Sequence, residues 1–326
     1  MRSALRVLVV TLALLGHASL AWAALSPWQP AAGYTQIPLW PGGAPHARPV
    51  AGPEIAGTVV DRAGNPKRVG GKPWTFVDRV SQPTITVYSP QGTNSGAAVV
   101  VFPGGGYNVL AMDLEGTEVC DWLTSRGVTC VLLKYRVPCA KVGPYRDCPT
   151  ALEDAQRAMG LVRSRAAEWG IDPNKIGVLG FSAGGHMVAE ISTHFEKRVY
   201  PAVDGSDSIS CRPDFAVALY PGHLVHSRAN PKLNPRIRVT PRTPPTFLLH
   251  AQDDPVDPVE NSRVYHAALR KAGVPAELKV FVKGGHAFGL RRTESPITEW
   301  PALVETWLNE IGVIPSPKRE GEANVR

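Results

Sequence analysis

Apolar positions along the chain change period several times, and each change marks an element. Residues 75–80 and 84–88 alternate apolar and polar side chains, the period-two signature of strands with one covered face. A short polar break separates them, so they are expected to open a sheet as antiparallel neighbours. From residue 97 the pattern differs. Residues 97–102 are a continuous apolar run, as in a strand buried on both faces, and 128–134 read as another buried strand. Between them, Leu114, Val119, Trp122 and Leu123 share one face of a helix expected over 114–126, with Gly127 as its stop. A longer helix is expected over 149–169, where Ala151, Ala155, Ala158, Met159, Val162 and Ala166 recur at helical spacing and Pro149 suits the first turn. Within it, Glu153 and Arg157 are four apart and are expected to pair on the surface. Asp154 is expected to complement the helix dipole, with a supporting contact to the turn at 180–184 as the alternative.

The second half repeats the scheme. Strands are expected near 175–181, 213–219, 246–251 and 276–281, and helices over 184–194, 259–272 and 298–311. Strand and helix in alternation imply an α/β domain: a mostly parallel central sheet, helices on both faces, and antiparallel first strands. Residues 24–72, rich in Pro and Gly, are expected to wrap its edge, with the domain proper over 73–314 and a polar tail over 315–326.

Composition narrows the class. The 326 residues are 44% hydrophobic and 19% charged, ordinary for a globular protein with a substantial core. The formal charge of +7 is spread along the chain apart from 228–242, without the aromatic–basic interleaving that binds single strands. No nucleic-acid partner is expected. Arg2 and Arg6, an apolar stretch over 7–15 and Ala21-Trp22-Ala23 read as a cleaved export signal over 1–23. No later stretch is long and apolar enough to span a bilayer. A secreted or periplasmic protein, soluble and free of the membrane once mature, is the expectation. Five cysteines fit that compartment. Cys139 and Cys148 bracket a turn-rich loop and are the first candidate pair. Cys120 with Cys130 would join a helix to the next strand, and one thiol must remain unpaired. The cysteine spacings match no zinc site, and no strand leads into G-x-G-x-x-G, so no metal and no cofactor are expected.

The chemistry concentrates at strand ends. Gly180-Phe181-Ser182-Ala183-Gly184 fits G-x-S-x-G, a sharp strand-to-helix turn that presents a serine hydroxyl. The run Gly104-Gly105-Gly106 follows the strand at 97–102. Its bare backbone, from Gly105 and Gly106, could supply an oxyanion hole together with Ala183. After 246–251 come Asp253, Asp254 and Asp257, three candidates for an orienting carboxylate. Asp257, nearest the next helix, suits its N-cap best. After 276–281 comes His286 in a Gly-rich loop. Ser182, an aspartate, then His286 is the chain order of a Ser–Asp–His triad on this architecture. His186 is expected to pack beside the site. His223 and His226 have H-x-x-H spacing but lack a third ligand. The segment 222–244 is short for a lid and implies an open cleft.

These residues carry a resemblance. Trp40-Pro41-Gly42-Gly43-Ala44-Pro45, Pro103-Gly104-Gly105-Gly106-Tyr107, Glu115-Gly116, Leu133-Lys134-Tyr135-Arg136-Val137-Pro138, Asp154-Ala155-Gln156-Arg157-Ala158, Gly180 to His186, Glu260-Asn261-Ser262 and Gly284-Gly285-His286 run through most of the chain. Together they resemble the esterase branch of the α/β-hydrolase superfamily that includes acetylxylan esterase-like and feruloyl esterase-like enzymes, often labelled xylanase- or lipase-like. The branch shows D-x-x-V-P around its acid. Asp254 with Pro258 fits that register, leaving Asp253 in reserve. The sequence departs from the branch at Asp257, where Val is usual, and at Ala287, where Gly is usual. The resemblance implies a serine carboxylesterase acting on small-molecule or carbohydrate esters, acetyl esters above all, with Ser182, Asp254 and His286 as triad. A serine peptidase and a non-catalytic binding protein on the same fold are the competing readings. No propeller-sized domain is expected ahead of the core, which argues against the oligopeptidase type of the first, and the retained triad residues count against the second.

Overall fold

The structure, a computed structural model, describes residues 26–139, 147–227 and 229–315. The expected export signal lies outside the described residues, as does the tail from 316. An eight-stranded sheet forms the centre. Its strands are β1 (Gln36–Pro38), β2 (Thr84–Tyr88), β3 (Ala98–Phe102), β4 (Thr129–Lys134), β5 (Ile176–Phe181), β6 (Ala216–Leu219), β7 (Thr246–Ala251) and β8 (Ala276–Phe281), in spatial order β1-β2-β4-β3-β5-β6-β7-β8. The β1–β2 and β2–β4 pairs are antiparallel; every pair from β4 onward is parallel. Every residue of β3, β4, β5, β6 and β7 is buried. That is why these runs lack a regular alternation: both sheet faces are covered, so neither phase of the pleat faces solvent. β8, at the sheet edge, is mostly half-buried and does mix charged and apolar positions.

Among the described residues, five α-helices cover the sheet: α1 (Glu118–Ser125), α2 (Pro149–Ser164), α3 (Ala183–Thr193), α4 (Glu260–Lys271) and α5 (Trp300–Glu310). α1 meets α5 through Trp122 and Trp300, edge to face at 5.3 Å. Elsewhere α2 packs on α3, and α3 on β5 and β6. Two disulfides add covalent closure. Cys120–Cys130 ties α1 to β4, Cys139–Cys148 closes the loop before α2, and Cys211 stays free and buried. Among the described residues, no helix is long and apolar enough to cross a membrane.

Three expectations need correction. The strands at 75–80 and 84–88 are not neighbours. Thr75–Asp78 joins Ile55–Thr58 and Leu110–Ala111 in a separate small sheet, and β2 pairs instead with β1 and β4. Between them Arg79 takes a left-handed conformation (φ 58°), which turns the chain from one sheet to the other. Alternation showed that each run is a strand but carried no information about its partner. The helix expected over 114–126 starts with a π turn at Asp113–Thr117, and the one expected from 298 with a 3-10 turn at Pro296–Glu299.

The third correction concerns α2. It is buried on most sides, so Glu153 and Arg157 do not pair on a surface. Arg157, 1% exposed, bridges to Asp204 and Asp207. Glu153 meets Arg136 at 2.9 Å and His46 at 2.6 Å. Asp154 is fully buried and serves neither expected role: it accepts from Trp40 Nε1 (2.8 Å), Arg136 Nε (2.9 Å) and the Arg136 amide (3.0 Å). A buried charge must be paired, and here the partners come from distant segments.

Candidate active site

β5 runs straight into Ser182, whose backbone sits at φ 53°, ψ −115°, and α3 begins at the next residue. A non-glycine side chain in that region is strained, and such strain collects at functional turns. The flanking glycines are a matter of space. A Cβ on Gly180 would lie 2.3 Å from the Gly184 carbonyl oxygen, and one on Gly184 would lie 2.0 Å from the Phe102 carbonyl oxygen. Strand and helix therefore meet at backbone contact. The Ser182 amide donates to the Leu219 carbonyl (3.0 Å), and its own carbonyl accepts from His186 and Gly222 (both 3.0 Å).

Loops after β5, β7 and β8 converge on the Ser182 hydroxyl. His286 Nε2 lies 3.0 Å from Ser182 Oγ, and His286 Nδ1 lies 2.6 Å from Asp254 Oδ2. Asp254 is itself held. Its Oδ1 accepts the amides of Val256 (2.8 Å) and Asp257 (2.9 Å), and His250 Nε2 stands 3.3 Å from Oδ2. Burial works against the Asp254 charge, but hydrogen bonds from His250 and His286 outweigh it and hold the carboxyl well below its usual range. For His286, burial again opposes the charged form. The Asp254 hydrogen bond and charge, with Asp257 and Glu115 behind them, outweigh it and raise the imidazole above its ordinary value.

The three aspartates separate cleanly. Asp253 faces away from the imidazole: its Oδ1 accepts the Gly284 and Gly285 amides (both 2.9 Å) and so braces the loop that carries His286. Asp257 is not the helix cap, because the residue preceding α4 is Val259 and makes no side-chain cap bond. It turns instead into the cavity, with Oδ2 3.4 Å from Ser182 Oγ and 3.8 Å from His286 Nε2. An acidic side chain thus stands beside the hydroxyl at the position where the resembled branch carries Val.

A cavity of about 560 Å³ opens over these groups, lined among others by Gly105, Gly106, Ser182, Asp257 and His286. Gly105 and Gly106 both have positive φ (128° and 63°), and a Cβ on Gly105 would lie 2.0 Å from the Val109 carbonyl oxygen. Ala183, fully buried, follows Ser182 in the first turn of α3. Sequence reasoning missed Glu115. It is 2% exposed, lines the same cavity, and accepts from the Gly104 amide and the Tyr220 hydroxyl, both at 2.8 Å. Burial pushes its carboxyl up, against the Tyr220 hydrogen bond and the His286 charge. It therefore braces the glycine loop from beneath. The signal that could have found it is a lone carboxylate inside the otherwise apolar face of the 114–126 segment. His186 does pack beside the site, with Nδ1 2.8 Å from the Tyr107 hydroxyl. The His223 ring stacks on Tyr107 with centroids 5.9 Å apart.

The mostly parallel sheet, the sharp strand-to-helix turn at Ser182 and the loops converging on it define a hydrolase architecture. A family described as alpha/beta hydrolase fold matches residues 99–290, and the chain belongs to that family. More particularly, it is similar to acetylxylan esterase-like members. The crystal structure of an acetyl ester-xyloside bifunctional hydrolase from Caldicellulosiruptor lactoaceticus superposes with a TM-score of 0.64 at 35% identity, covering 86% of this chain and 97% of that one. Acetylxylan esterase of Xylanibacter ruminicola is 29% identical over 248 residues, 69% of this chain and 47% of that protein. An esterase from Thermogutta terrifontis superposes with a TM-score of 0.60 at 26% identity, over 78% of this chain and 94% of that one. The chain spans about half the length, or less, of the curated relatives it matches first.

Proposed function

We propose that the protein is an exported serine carboxylesterase that removes short acyl groups, acetyl above all, from carbohydrate esters. The observation that carries the reading is the unbroken chain Asp254–His286–Ser182, with links of 2.6 and 3.0 Å, at the floor of an open cavity beside a glycine loop. In this reading His286 Nε2 takes the Ser182 proton as Oγ attacks the ester carbonyl. Asp254 holds the proton on Nδ1 and stabilises the imidazolium. Amides of Gly105, Gly106 and Ala183 receive the oxyanion. His286 then protonates the leaving alcohol, and water releases the acyl group by the reverse path. Similarity to acetylxylan esterase and to the acetyl ester-xyloside hydrolase supports carbohydrate as the alcohol. The two disulfides and the leader-like residues 1–23 support export.

A panel of nitrophenyl esters of increasing acyl length, run beside acetylated xylan and a peptide anilide, tests the assignment. Fastest turnover is expected on acetate, with acetate released from the polysaccharide and no cleavage of the anilide. Faster turnover on long acyl chains, or on the anilide, refutes it.

The pH dependence follows from the charges around His286. Only its neutral form can accept the Ser182 proton. A raised His286 pKa places the acidic limb of kcat/KM above the ordinary histidine value of about 6.5. Activity is complete above that limb and lost as pH falls through it. Asp257→Asn removes a charge 3.8 Å from Nε2, so the limb is expected to move to lower pH, raising relative activity on the acidic side. Rate profiles with an uncharged ester check this, and a limb that stays put or moves upward contradicts it.

A further inference from the structure

A second cluster of buried ionisable groups lies behind the elbow helix and takes no part in the proposed chemistry. His186 and Glu190, four apart on α3, face Asp147, the residue before Cys148. They are 0%, 4% and 6% exposed. His186 Nε2 lies 3.7 Å from Asp147 Oδ1 and 3.8 Å from Glu190 Oε1, and the three potential ligand atoms all fall within 4.8 Å of one another. These separations are too long for hydrogen bonds. Accordingly His186 Nε2 and Glu190 Oε1, both buried, have no hydrogen-bond partner among the described residues. On the other side of the ring, Nδ1 is engaged by the Tyr107 hydroxyl at 2.8 Å. If Nδ1 carries the proton, the Nε2 lone pair points at two carboxylates, an arrangement that calls for a cation between them.

We propose that Asp147, His186 and Glu190 form a binding site for one divalent transition-metal ion, Zn²⁺ by its ligand set. Zn²⁺ takes imidazole nitrogen and carboxylate oxygen at about 2.0–2.2 Å, so tetrahedral ligand atoms stand about 3.4 Å apart. The pairs around His186 need to contract by only a few tenths of an ångström to reach that geometry. Calcium and magnesium are poor fits, because they seek six or more oxygens or a shell of waters. The three protein ligands leave a fourth position for water. Tyr107 supplies the outer-shell hydrogen bond that orients a metal-bound imidazole. Asn234 Nδ2 donates to Asp147 Oδ1 at 3.0 Å and fixes that carboxylate.

Arg236 is the competing cation. Its Nε lies 3.3 Å from Asp147 Oδ2 and 3.7 Å from Glu190 Oε1, and its side chain is 42% exposed. One guanidinium faces two carboxylates, and it can swing into solvent as the ion enters. Metal and Arg236 therefore exclude each other. The site would join three separate segments: α3, the base of the disulfide loop and, through Tyr107, the end of the glycine loop. It does not depend on the Ser182 chemistry.

The full chain, stripped with a chelator, is titrated with Zn²⁺ against a chromophoric competitor, and bound metal is counted by elemental analysis. One Zn²⁺ per chain is expected, with Tm rising by about 5 °C at a hundredfold excess over Kd. Asp147→Asn and Glu190→Gln each lose more affinity than the about 10–100-fold that removal of an outer-shell group costs, and Tyr107→Phe falls within that range. Arg236→Ala binds more tightly than the parent. This last variant and Tyr107→Phe leave the ligands intact, so they test the site even where a ligand variant fails to fold. No stoichiometric Zn²⁺ on the parent chain, equal binding by Glu190→Gln, or weaker binding by Arg236→Ala each overturns the proposal.

Discussion

Ser182→Ala is expected to lower kcat/KM on a nitrophenyl acetate by at least about 10⁴-fold while leaving the fold intact. The size follows from the division of labour in a triad. Without Oγ there is no acyl-enzyme, and only water attack aided by ester binding and oxyanion donors survives. The fold should tolerate the change for local reasons. Alanine meets the same backbone demand at φ 53° as serine does, and the amide and carbonyl of residue 182 keep their bonds to Leu219, His186 and Gly222. Among the described residues, Oγ bonds within the site, to His286 and at 3.4 Å to Asp257. A fluorophosphonate should label the parent chain once, at Ser182, and leave the variant unlabelled with an unchanged melting curve. A folded parent that resists the probe, or a variant that keeps its turnover, removes the esterase reading and favours a binding protein on the hydrolase fold.

The parts of this site that could be read in the sequence are those built from local chemistry. Glycines at 180 and 184, the run at 104–106 and the placement of His286 in a glycine-rich loop are local requirements of a turn or a close approach. They left their mark in consecutive residues. The buried strands were equally legible, because coverage on both faces leaves a mostly apolar stretch with no regular alternation. What resisted reading depends on partners far away in the chain. The alternation in 75–80 could not reveal that its neighbours would be Ile55–Thr58 and Leu110–Ala111. Asp154 looked like a helix-start carboxylate because Trp40, its partner 114 residues away, is invisible to helical spacing. Glu115 was missed and Asp257 misread for the same reason. One braces Gly104 and Tyr220, the other faces Ser182, and neither contact is implied by its immediate sequence. The cluster at Asp147, His186 and Glu190 shows the limit most plainly. Two of its members are a helical turn apart, but the third, Asp147, sits beside a disulfide cysteine ahead of another helix.

The three aspartates after β7 offer the sharpest check on this division, and Asp254→Asn carries its largest effect. Asparagine preserves the shape of the side chain and can still meet His286 Nδ1, but its amide would donate there. That fixes the ring proton on Nε2, where it faces Ser182 Oγ and cannot accept the hydroxyl proton. A fall in kcat of about 10⁴-fold near neutral pH is expected, with KM little changed. Asp253→Asn should cost far less. Its Oδ1 can be matched by the asparagine carbonyl, so the Gly284 and Gly285 amides keep their acceptor and His286 keeps its loop. Asp257→Asn should act through the pH profile rather than through kcat at its plateau, since its carboxylate stands 3.4 Å from Ser182 Oγ and 3.8 Å from His286 Nε2 without orienting either ring nitrogen. The order of losses, 254 far above 253 and 257, is therefore set by which carboxylate controls the imidazole tautomer. Asp254→Asn also leaves His250 Nε2 beside an amide instead of a carboxylate, at the 3.3 Å position it occupies now. A drop in thermal stability alongside the lost turnover is expected from that change, and adding back charge through Asp254→Glu should recover part of both. If Asp253→Asn instead abolishes turnover while Asp254→Asn leaves it near the parent value, the hydrogen bond at 2.6 Å does not govern the reaction, and the acid must be reassigned.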